Sequence, residues 1–165
     1  MANFGKQMRL KGILFSAIFM SLVGCATTNP QQETTRYVID GNAAALRGDY
    51  ASSANLYESA LRVAPSNMSA KRNLGIVLVK MGDYKRAIKT LAAVQNDYKE
   101  DVEVFYFMGE AARGSNDFKG ALGHYNKAAK ISPQDLRVQK AISWCYFRIS
   151  ALDKALNLVQ SLQRS

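Results

Sequence analysis

The chain has 165 residues, of which 48% are hydrophobic, and a formal net charge of +9 at pH 7. It contains two cysteines and one histidine, so it offers no Cys/His cluster for zinc and little material for a histidine-based catalytic triad. The excess of basic residues indicates anionic partners, a class that includes nucleic acids, acidic proteins and anionic lipid headgroups.

The first 24 residues have the composition of a secretory signal. Lys6, Arg9 and Lys11 precede an apolar run over 13–23, and this stretch contains no acidic residue. The run is shorter than the ~20 residues that a membrane-spanning helix needs, so we expect a cleaved leader. Its removal leaves 141 residues, the size of one domain, and lowers the net charge to +6 because three basic residues leave with it.

The leader ends in Leu22-Val23-Gly24-Cys25. This box resembles the bacterial lipobox, in which an aliphatic residue stands three positions before the cysteine and a small residue directly before it. The resemblance implies that Cys25 becomes the first residue of the mature protein and that its acyl chains anchor the protein on a membrane. Ala26 follows where an aspartate would resemble an inner-membrane retention signal, which favours the periplasmic side of the outer membrane. Cleavage without lipid, or a buried cysteine in an N-terminal helix, are the alternatives.

Residues 25–33 are expected to form a lipidated tether, because they are polar and contain one proline. Eight residues of extended chain after Cys25 reach about 28 Å at most, so the rest of the protein would lie close to the membrane.

A short motif recurs every 34 residues as Gly48-Asp49-Tyr50, Gly82-Asp83-Tyr84 and Asn116-Asp117-Phe118. Other residue types keep the same register. They are Gly41, Gly75 and Gly109 at position 8; Ser53, Ala87 and Ala121 at position 20; Tyr57, Leu91 and Tyr125 at position 24; Ala60, Val94 and Ala128 at position 27; and Pro65 and Pro133 at position 32. This pattern resembles the tetratricopeptide repeat, which implies antiparallel helix pairs stacked into an α-solenoid.

Each recurring residue type suits a particular place in such a helix pair. Glycine tolerates a positive φ in the turn, and aspartate caps the second helix. Small residues at positions 8 and 20 let the two helices approach, and large residues at positions 17 and 24 fill the space beside them. Proline ends the second helix.

The register divides the repeat domain, 34–165, into units 34–67, 68–101, 102–135 and 136–165. Unit two lacks the proline and unit four is degenerate, with Ser143 at position 8 and Ser150-Ala151-Leu152 in its turn. The last helix places apolar residues on one side, so we expect it to close the solenoid, packed on one side and wet on the other. Cys145 is expected to be buried.

In this repeat family the concave face comes mainly from positions 2, 5, 6, 9, 12 and 13 of each first helix. The resemblance therefore implies a groove of interleaved aromatic and basic residues, which suits a protein ligand with acidic and apolar side chains. At these positions unit two offers Arg72, Asn73, Ile76 and Lys80, unit three offers Glu103, Tyr106, Phe107, Glu110 and Arg113, and unit four offers Arg137, Lys140, Trp144, Phe147 and Arg148. The alternative is that Tyr106, Phe107 and Trp144 only pack between repeats.

One subtype of this family clamps the two carboxylates of a chaperone C-terminus. Asn42 and Asn73 match its pattern, but Val38, Glu103 and Phe107 do not, so this specificity is not expected.

Two other functions have weaker support. Basic and aromatic residues also suit single-stranded nucleic acid, which an exported protein rarely meets. The acidic pairs Asp97/Asp101 and Glu110/Asp117 could be imagined as catalytic carboxylates, but such acids are ordinary on solvated helix faces.

The sequence thus predicts an all-α solenoid of tetratricopeptide repeats on a lipid anchor that binds protein partners and has no catalytic site, cofactor, metal, nucleic-acid ligand or small-molecule substrate. It resembles small tetratricopeptide lipoproteins that help assemble envelope machines, such as pilotins of type IV pili and lipoproteins of tight-adherence pilus clusters. A role in peptidoglycan or outer-membrane biogenesis, or as an accessory subunit of a periplasmic hydrolase, is the alternative.

Overall fold

The computed structural model describes residues 29–163, so the lipobox and Cys25 lie outside the described residues. Within this range the chain forms eight α-helices and no strand. They are α1 (Pro30–Leu46), α2 (Tyr50–Val63), α3 (Met68–Met81), α4 (Tyr84–Ala92), α5 (Val102–Gly114), α6 (Phe118–Ile131), α7 (Leu136–Arg148) and α8 (Leu152–Gln163). Each helix of residues 29–163 is either too short or too polar to cross a bilayer.

The helices stack as a solenoid of four pairs, which confirms the predicted all-α class. Each helix packs on the next one along the chain. The first helices of adjacent pairs also contact each other, α1 with α3 and α3 with α5, whereas α2, α4 and α6 show no contacts of comparable extent among themselves. The first helices therefore line the concave side of the described stack.

The turn inside every pair places one residue in the left-handed region. Gly48, Gly82, Asn116 and Ser150 have φ of 78°, 81°, 63° and 62°. These residues are spaced by 34, so unit four keeps the turn geometry although its sequence there is degenerate. Glycine adopts this conformation at little cost, and asparagine tolerates it better than most residues.

Asparagine or aspartate caps seven of the eight described helices at their N-termini. Each capping side chain accepts a hydrogen bond from a backbone N–H of the first turn, which satisfies a donor that the helix cannot. The capping residues are Asn29, Asp49, Asn67, Asp83, Asp101, Asp117 and Asp135. The caps in the turns of units one to three were expected, but those that begin α3, α5 and α7 were not.

The two helices of a pair touch where position 8 meets position 24. A Cβ on Gly109 would lie 2.4 Å from the ring of Tyr125, and one on Gly75 would lie 2.5 Å from Leu91. The residue at position 20 is also buried, and Ser53 Oγ donates to the carbonyl of Gly41 across 2.9 Å. The predicted close approach at positions 8 and 20 is present.

Helix α1 starts earlier than the expected tether boundary. Residues 30–33 form its first turn, because Asn29 caps the helix and Pro30 suits its first position. Thr34 is already buried, with its hydroxyl bonded to the Pro30 carbonyl at 2.7 Å.

Unit two departs from its neighbours at the point where it lacks proline. Helix α4 ends at Ala92, and residues 93–100 run through successive turns before Asp101 caps α5. Helices α2 and α6, whose units carry proline, continue to Val63 and Ile131. The missing proline therefore accompanies a shorter second helix and a longer connection.

We expect Gly109→Ala to destabilise the protein by about 1–3 kcal/mol, since its methyl group would overlap the buried Tyr125 ring. Gly123→Ala is the matched control, because a Cβ there meets nothing within 4 Å. Since alanine suits a helix better than glycine, this substitution should raise the free energy of unfolding by about 0.5–1 kcal/mol. Urea denaturation of the full chain, followed by circular dichroism, measures both. Equal effects of the two substitutions would contradict the packing described here.

Candidate functional site

A cavity of about 410 Å³ opens on the concave side between α1 and α3. Ala45, Ile76 and Val77 contribute apolar surface to its wall, and Leu46 on α1 is 90% exposed beside them. Its remaining lining residues are Asn42, Tyr50, Tyr57, Arg72, Asn73, Lys80 and Glu103. The cavity therefore combines an apolar patch with a polar border, as ligand sites commonly do.

Hydrogen bonds tie Asn42 and Asn73 together at this cavity. Asn42 Oδ1 accepts from the Tyr57 hydroxyl at 2.6 Å and from Asn73 Nδ2 at 3.0 Å. Arg72 in turn donates to Asn73 Oδ1 at 3.1 Å. These bonds fix both amide side chains in place, so a ligand that used their remaining hydrogen-bonding capacity would not have to order them first.

Arg72, predicted as a basic contact for a ligand, is instead held by two carboxylates, Asp101 at the end of unit two and Glu103 in unit three. Its Nε lies 2.7 Å from Asp101 and its Nη2 lies 3.3 Å from Glu103. Burial opposes the charge of Asp101, but the hydrogen bond and charge of Arg72 outweigh it and lower the pKa of Asp101. Arg72 therefore bridges units two and three, and its attraction for an acidic ligand is largely neutralised.

Glu110 is the acceptor of a second polar cluster. It accepts hydrogen bonds from Arg113, with Nε at 3.1 Å, and from the hydroxyl of Tyr125. Burial acts to raise the pKa of Glu110, but these hydrogen bonds hold it below its ordinary value of 4.5. Burial and the neighbouring Glu110 raise the pKa of Tyr125 well above its ordinary value.

The aromatic residues of α5 do not both face the groove. Phe107 is 7% exposed, so it belongs to the core, with Lys80 Nζ lying 5.2 Å from its ring centroid. Tyr106 is half-buried, and the Arg137 guanidinium lies 5.2 Å from its ring. Arg137 also pairs with Asp135 at 2.8 Å. The expectation that Phe107 anchors a ligand is wrong, because its ring fills space between helices.

Trp144 packs between repeats and is also exposed to a ligand in the groove. It packs edge-on against Phe118 of the preceding unit, with ring centroids 5.3 Å apart, yet stays 40% exposed. Arg113 and Arg148 lie 5.4 Å and 5.5 Å from its ring. Trp144 therefore joins the repeats and still presents an edge to solvent.

Lys140 and Phe147 are exposed as predicted. They border a cavity of about 500 Å³ between α7 and α8, together with Ser143, Trp144, Val159, Leu162 and Gln163. Cys145, on the opposite side of α7, is fully buried, and burial raises the pKa of its thiol to about 11.

The basic charge of the concave face is mostly compensated within the protein. Arg72, Arg113 and Arg137 each pair with a carboxylate. Among residues 29–163, Lys140 and Arg148 form no ion pair within 4 Å. The uncompensated positive charge predicted for units three and four is therefore concentrated at the C-terminal end of the groove.

Three of the four carboxylates considered for catalysis have structural partners. Asp101 and Asp117 cap α5 and α6, and Glu110 accepts from Arg113 and Tyr125. Across the described residues, no three His, Cys, Asp or Glu side chains converge on a possible metal position.

Sequence reasoning missed the contribution of unit one to the concave face. The inner positions 9, 12 and 13 of this unit are Asn42, Ala45 and Leu46, and all three border the cavity between α1 and α3. Applying the same register to α1 would have found them.

The comparisons with known proteins identify the repeat. A family model described as tetratricopeptide repeat matches residues 44–110. The fold is therefore an α-solenoid of tetratricopeptide-type repeats. The solved structure of MamA from Desulfovibrio magneticus RS-1 superposes with a TM-score of 0.75 at 22% identity, over 84% of this chain and 76% of that one. Such repeats are protein–protein interaction modules.

Two other proteins are also similar to this chain. The DnaJ protein P58IPK homolog B of Oryza sativa subsp. japonica is 32% identical over 102 residues, which are 59% of this chain and only 22% of that protein. The first tetratricopeptide domain of Spaghetti (RPAP3), solved with an HSP90 peptide, superposes with a TM-score of 0.67 at 13% identity, over 72% of this chain and 94% of that one.

We expect Glu110→Gln to lower the free energy of unfolding at pH 7 by about 1–2 kcal/mol, because the Arg113 and Tyr125 donors lose a charged acceptor. The pKa of Glu110 is lower in the folded state, so its contribution is complete above about pH 4.5 and is lost as the pH falls through the folded value. The difference between variant and wild type should therefore shrink in acid.

Urea denaturation between neutral and acid pH measures this difference. Glu100→Gln is the control, because Glu100 is exposed and forms no ion pair within the described residues. A difference for Glu110→Gln that stays constant down to pH 3 would show that its ionisation is not linked to folding.

Proposed function

We propose that this protein is a non-catalytic, lipid-anchored adaptor of the bacterial cell envelope, which holds partner proteins in its concave groove. The observation that carries the proposal is the cavity between α1 and α3, where apolar side chains lie beside the hydrogen-bonded pair Asn42 and Asn73. A surface of this kind binds a ligand by apolar burial and selects its orientation by hydrogen bonds.

The chemistry of the cavity favours an extended peptide segment with an apolar side chain. Ile76 and Leu46 offer surface for that side chain. The Asn42 and Asn73 amides can bond to peptide groups of an extended backbone, whose N–H and C=O are not used internally. Lys80 borders the same cavity and favours an acidic residue next to the apolar one.

A clamp for a C-terminal carboxylate pair is not proposed. Asn42 and Asn73 match the pattern of such a clamp, but Glu103 and Phe107 stand where it needs a lysine and an arginine. The neighbour solved with an HSP90 peptide supports only the general idea that this fold accepts peptides.

The proposed anchor rests on the sequence Leu22-Val23-Gly24-Cys25 and the basic and apolar stretches before it. Acyl chains on Cys25 would keep the adaptor on the periplasmic side of the outer membrane, a short tether away from the bilayer. Support for the assembly of a pilus or secretion system is the role that best fits such an adaptor. An accessory subunit for a periplasmic hydrolase, or a factor in outer-membrane or peptidoglycan biogenesis, is the second candidate.

Photo-crosslinking tests the groove. A photoreactive residue in place of Ile76 should capture a discrete protein in native membranes, whereas one in place of Lys127 on the outer face should not. Asn73→Ala should then weaken binding of the purified partner about five- to tenfold, the loss of roughly one hydrogen bond. Asn126→Ala is the matched control, because Asn126 is exposed on α6. Equal capture at both sites, or an unchanged affinity for Asn73→Ala, would refute the groove.

The lipid anchor is tested by palmitate labelling and membrane fractionation. Cys25→Ser should abolish the label and release the protein from the membrane fraction, because the acylated thiol is lost. Cys145→Ala should keep both, since Cys145 is buried in the core. Retained label in the Cys25 variant would exclude this anchor.

A further inference from the structure

The last helix of the stack leaves an apolar face open. In units one to three, the side chains at positions 24 and 27 are at most 2% exposed. In unit four, the residue at position 24 is Val159, which is 41% exposed. Leu152 and Leu156, at positions 17 and 21, are 58% and 57% exposed.

These residues continue the surface on which repeats pack inside the solenoid. At position 17, Tyr84 lies against Gly114 of unit three, and Phe118 lies against Trp144 of unit four. Leu152 holds the same position in unit four. Together with Trp144 and Phe147, the three residues Leu152, Leu156 and Val159 form what we call the C-terminal face. The expectation that the apolar side of α8 is packed is therefore wrong for these three residues, whereas its polar side is exposed as expected.

At the opposite end of the stack, α1 differs from the later first helices in the residues that it presents at positions 3 and 7. Positions 3, 7 and 10 of a first helix face the preceding unit, and in α3, α5 and α7 they carry buried apolar residues. These residues are Ala70, Leu74, Val77, Val104, Met108, Ala111, Val138, Ile142 and Cys145. In α1, positions 3 and 7 are Arg36 and Asp40, an exposed ion pair with Nε and Oδ2 3.7 Å apart. The N-terminal end is thus capped by charge, and the C-terminal end is not.

The charge around the C-terminal face is one-sided. Residues 136–163 contain four basic residues and one acid, Asp153. Lys140 borders the cavity of about 500 Å³ between α7 and α8, and Arg148 lies over the Trp144 ring. Such a rim attracts acidic side chains and repels another basic surface.

We propose that the C-terminal face binds an amphipathic helix of a partner protein, seated as the first helix of a further repeat would be. The internal units specify the apolar side of this helix. It carries a small or branched residue, then a larger residue four positions later, and then a smaller residue seven positions after the first. The basic rim selects acidic residues on its flanks. This second site extends the proposed adaptor function and rests on it, but it lies at the C-terminal end of the groove, away from the cavity between α1 and α3.

A second copy of this chain fits the face poorly. Head-to-tail stacking would bury the Arg36–Asp40 pair of one copy against the apolar face of the other, at a desolvation cost. Tail-to-tail contact would bring two basic rims together. Both arrangements are distinguishable from the proposed one by the oligomeric state.

The test uses a labelled synthetic peptide as long as α5. It carries valine, methionine and alanine at the spacing of Val104, Met108 and Ala111, and glutamate at the positions that face away from the C-terminal face. Its binding to the full chain in lipid nanodiscs is followed by fluorescence anisotropy. The acidic peptide should bind, and a counterpart with lysine at the outer positions should bind at least about tenfold more weakly.

Variants assign the binding to the face. Val159→Glu and, separately, Leu156→Glu should each weaken the acidic peptide about tenfold or more, because a charge enters the apolar contact. Leu136→Glu should not, although Leu136 is also an exposed leucine on this pair of helices. Asn73→Ala should leave the peptide affinity unchanged, which separates this site from the groove. Circular dichroism checks that all variants keep their helicity.

Three results would overturn the proposal. They are equal binding of the acidic and basic peptides, no effect of Val159→Glu and Leu156→Glu, and reversible dimerisation of the full chain that Val159→Glu abolishes. The last result would assign the face to a second copy. Loss of partner capture at Ile76 with intact peptide binding would refute the groove and leave this site standing.

Discussion

The close contact between position 8 of one helix and position 24 of its partner sets the geometry of the whole solenoid. At Gly41, Gly75 and Gly109 no Cβ separates the two backbones, so the large side chain of the second helix lies directly on the first. The tyrosine hydroxyls at position 24 then reach the concave side, where Tyr57 meets Asn42 and Tyr125 meets Glu110. The tyrosine at position 24 thus packs between the two helices with its ring and holds a polar side chain of the groove with its hydroxyl.

The concave face is built mainly from contacts that the protein makes with itself. Arginines lie over Tyr106 and Trp144 and pair with nearby carboxylates, which keeps their side chains ordered. Such pairs between partly exposed groups contribute little free energy each, but they decide which donors and charges remain for a ligand. The remaining functional groups lie at the two ends of the groove, beside Asn42 and Asn73 at one end and Lys140 at the other.

The periodic features were predictable from the sequence because each depends on residues within one pair of helices. The left-handed turn at Gly82 and the contact of Gly75 with Leu91 follow from residue type and spacing alone. The ion pairs of Arg72 were not predicted, since its partners Asp101 and Glu103 lie at the junction with the next unit. The exposure of Val159 escaped prediction for a related reason: an apolar stripe on a helix does not reveal whether another helix covers it.

The bridge from Arg72 to Asp101 and Glu103 also has a mechanical consequence. It spans the junction where α4 is short and the connection to α5 is long, so electrostatic attraction carries part of the rigidity there. Dissolved ions screen that attraction, as they also screen the ion pairs from Arg86 to Glu58 and from Arg137 to Glu103 across the neighbouring junctions. The elastic compliance of the solenoid therefore depends on ionic strength at all three junctions between its repeats.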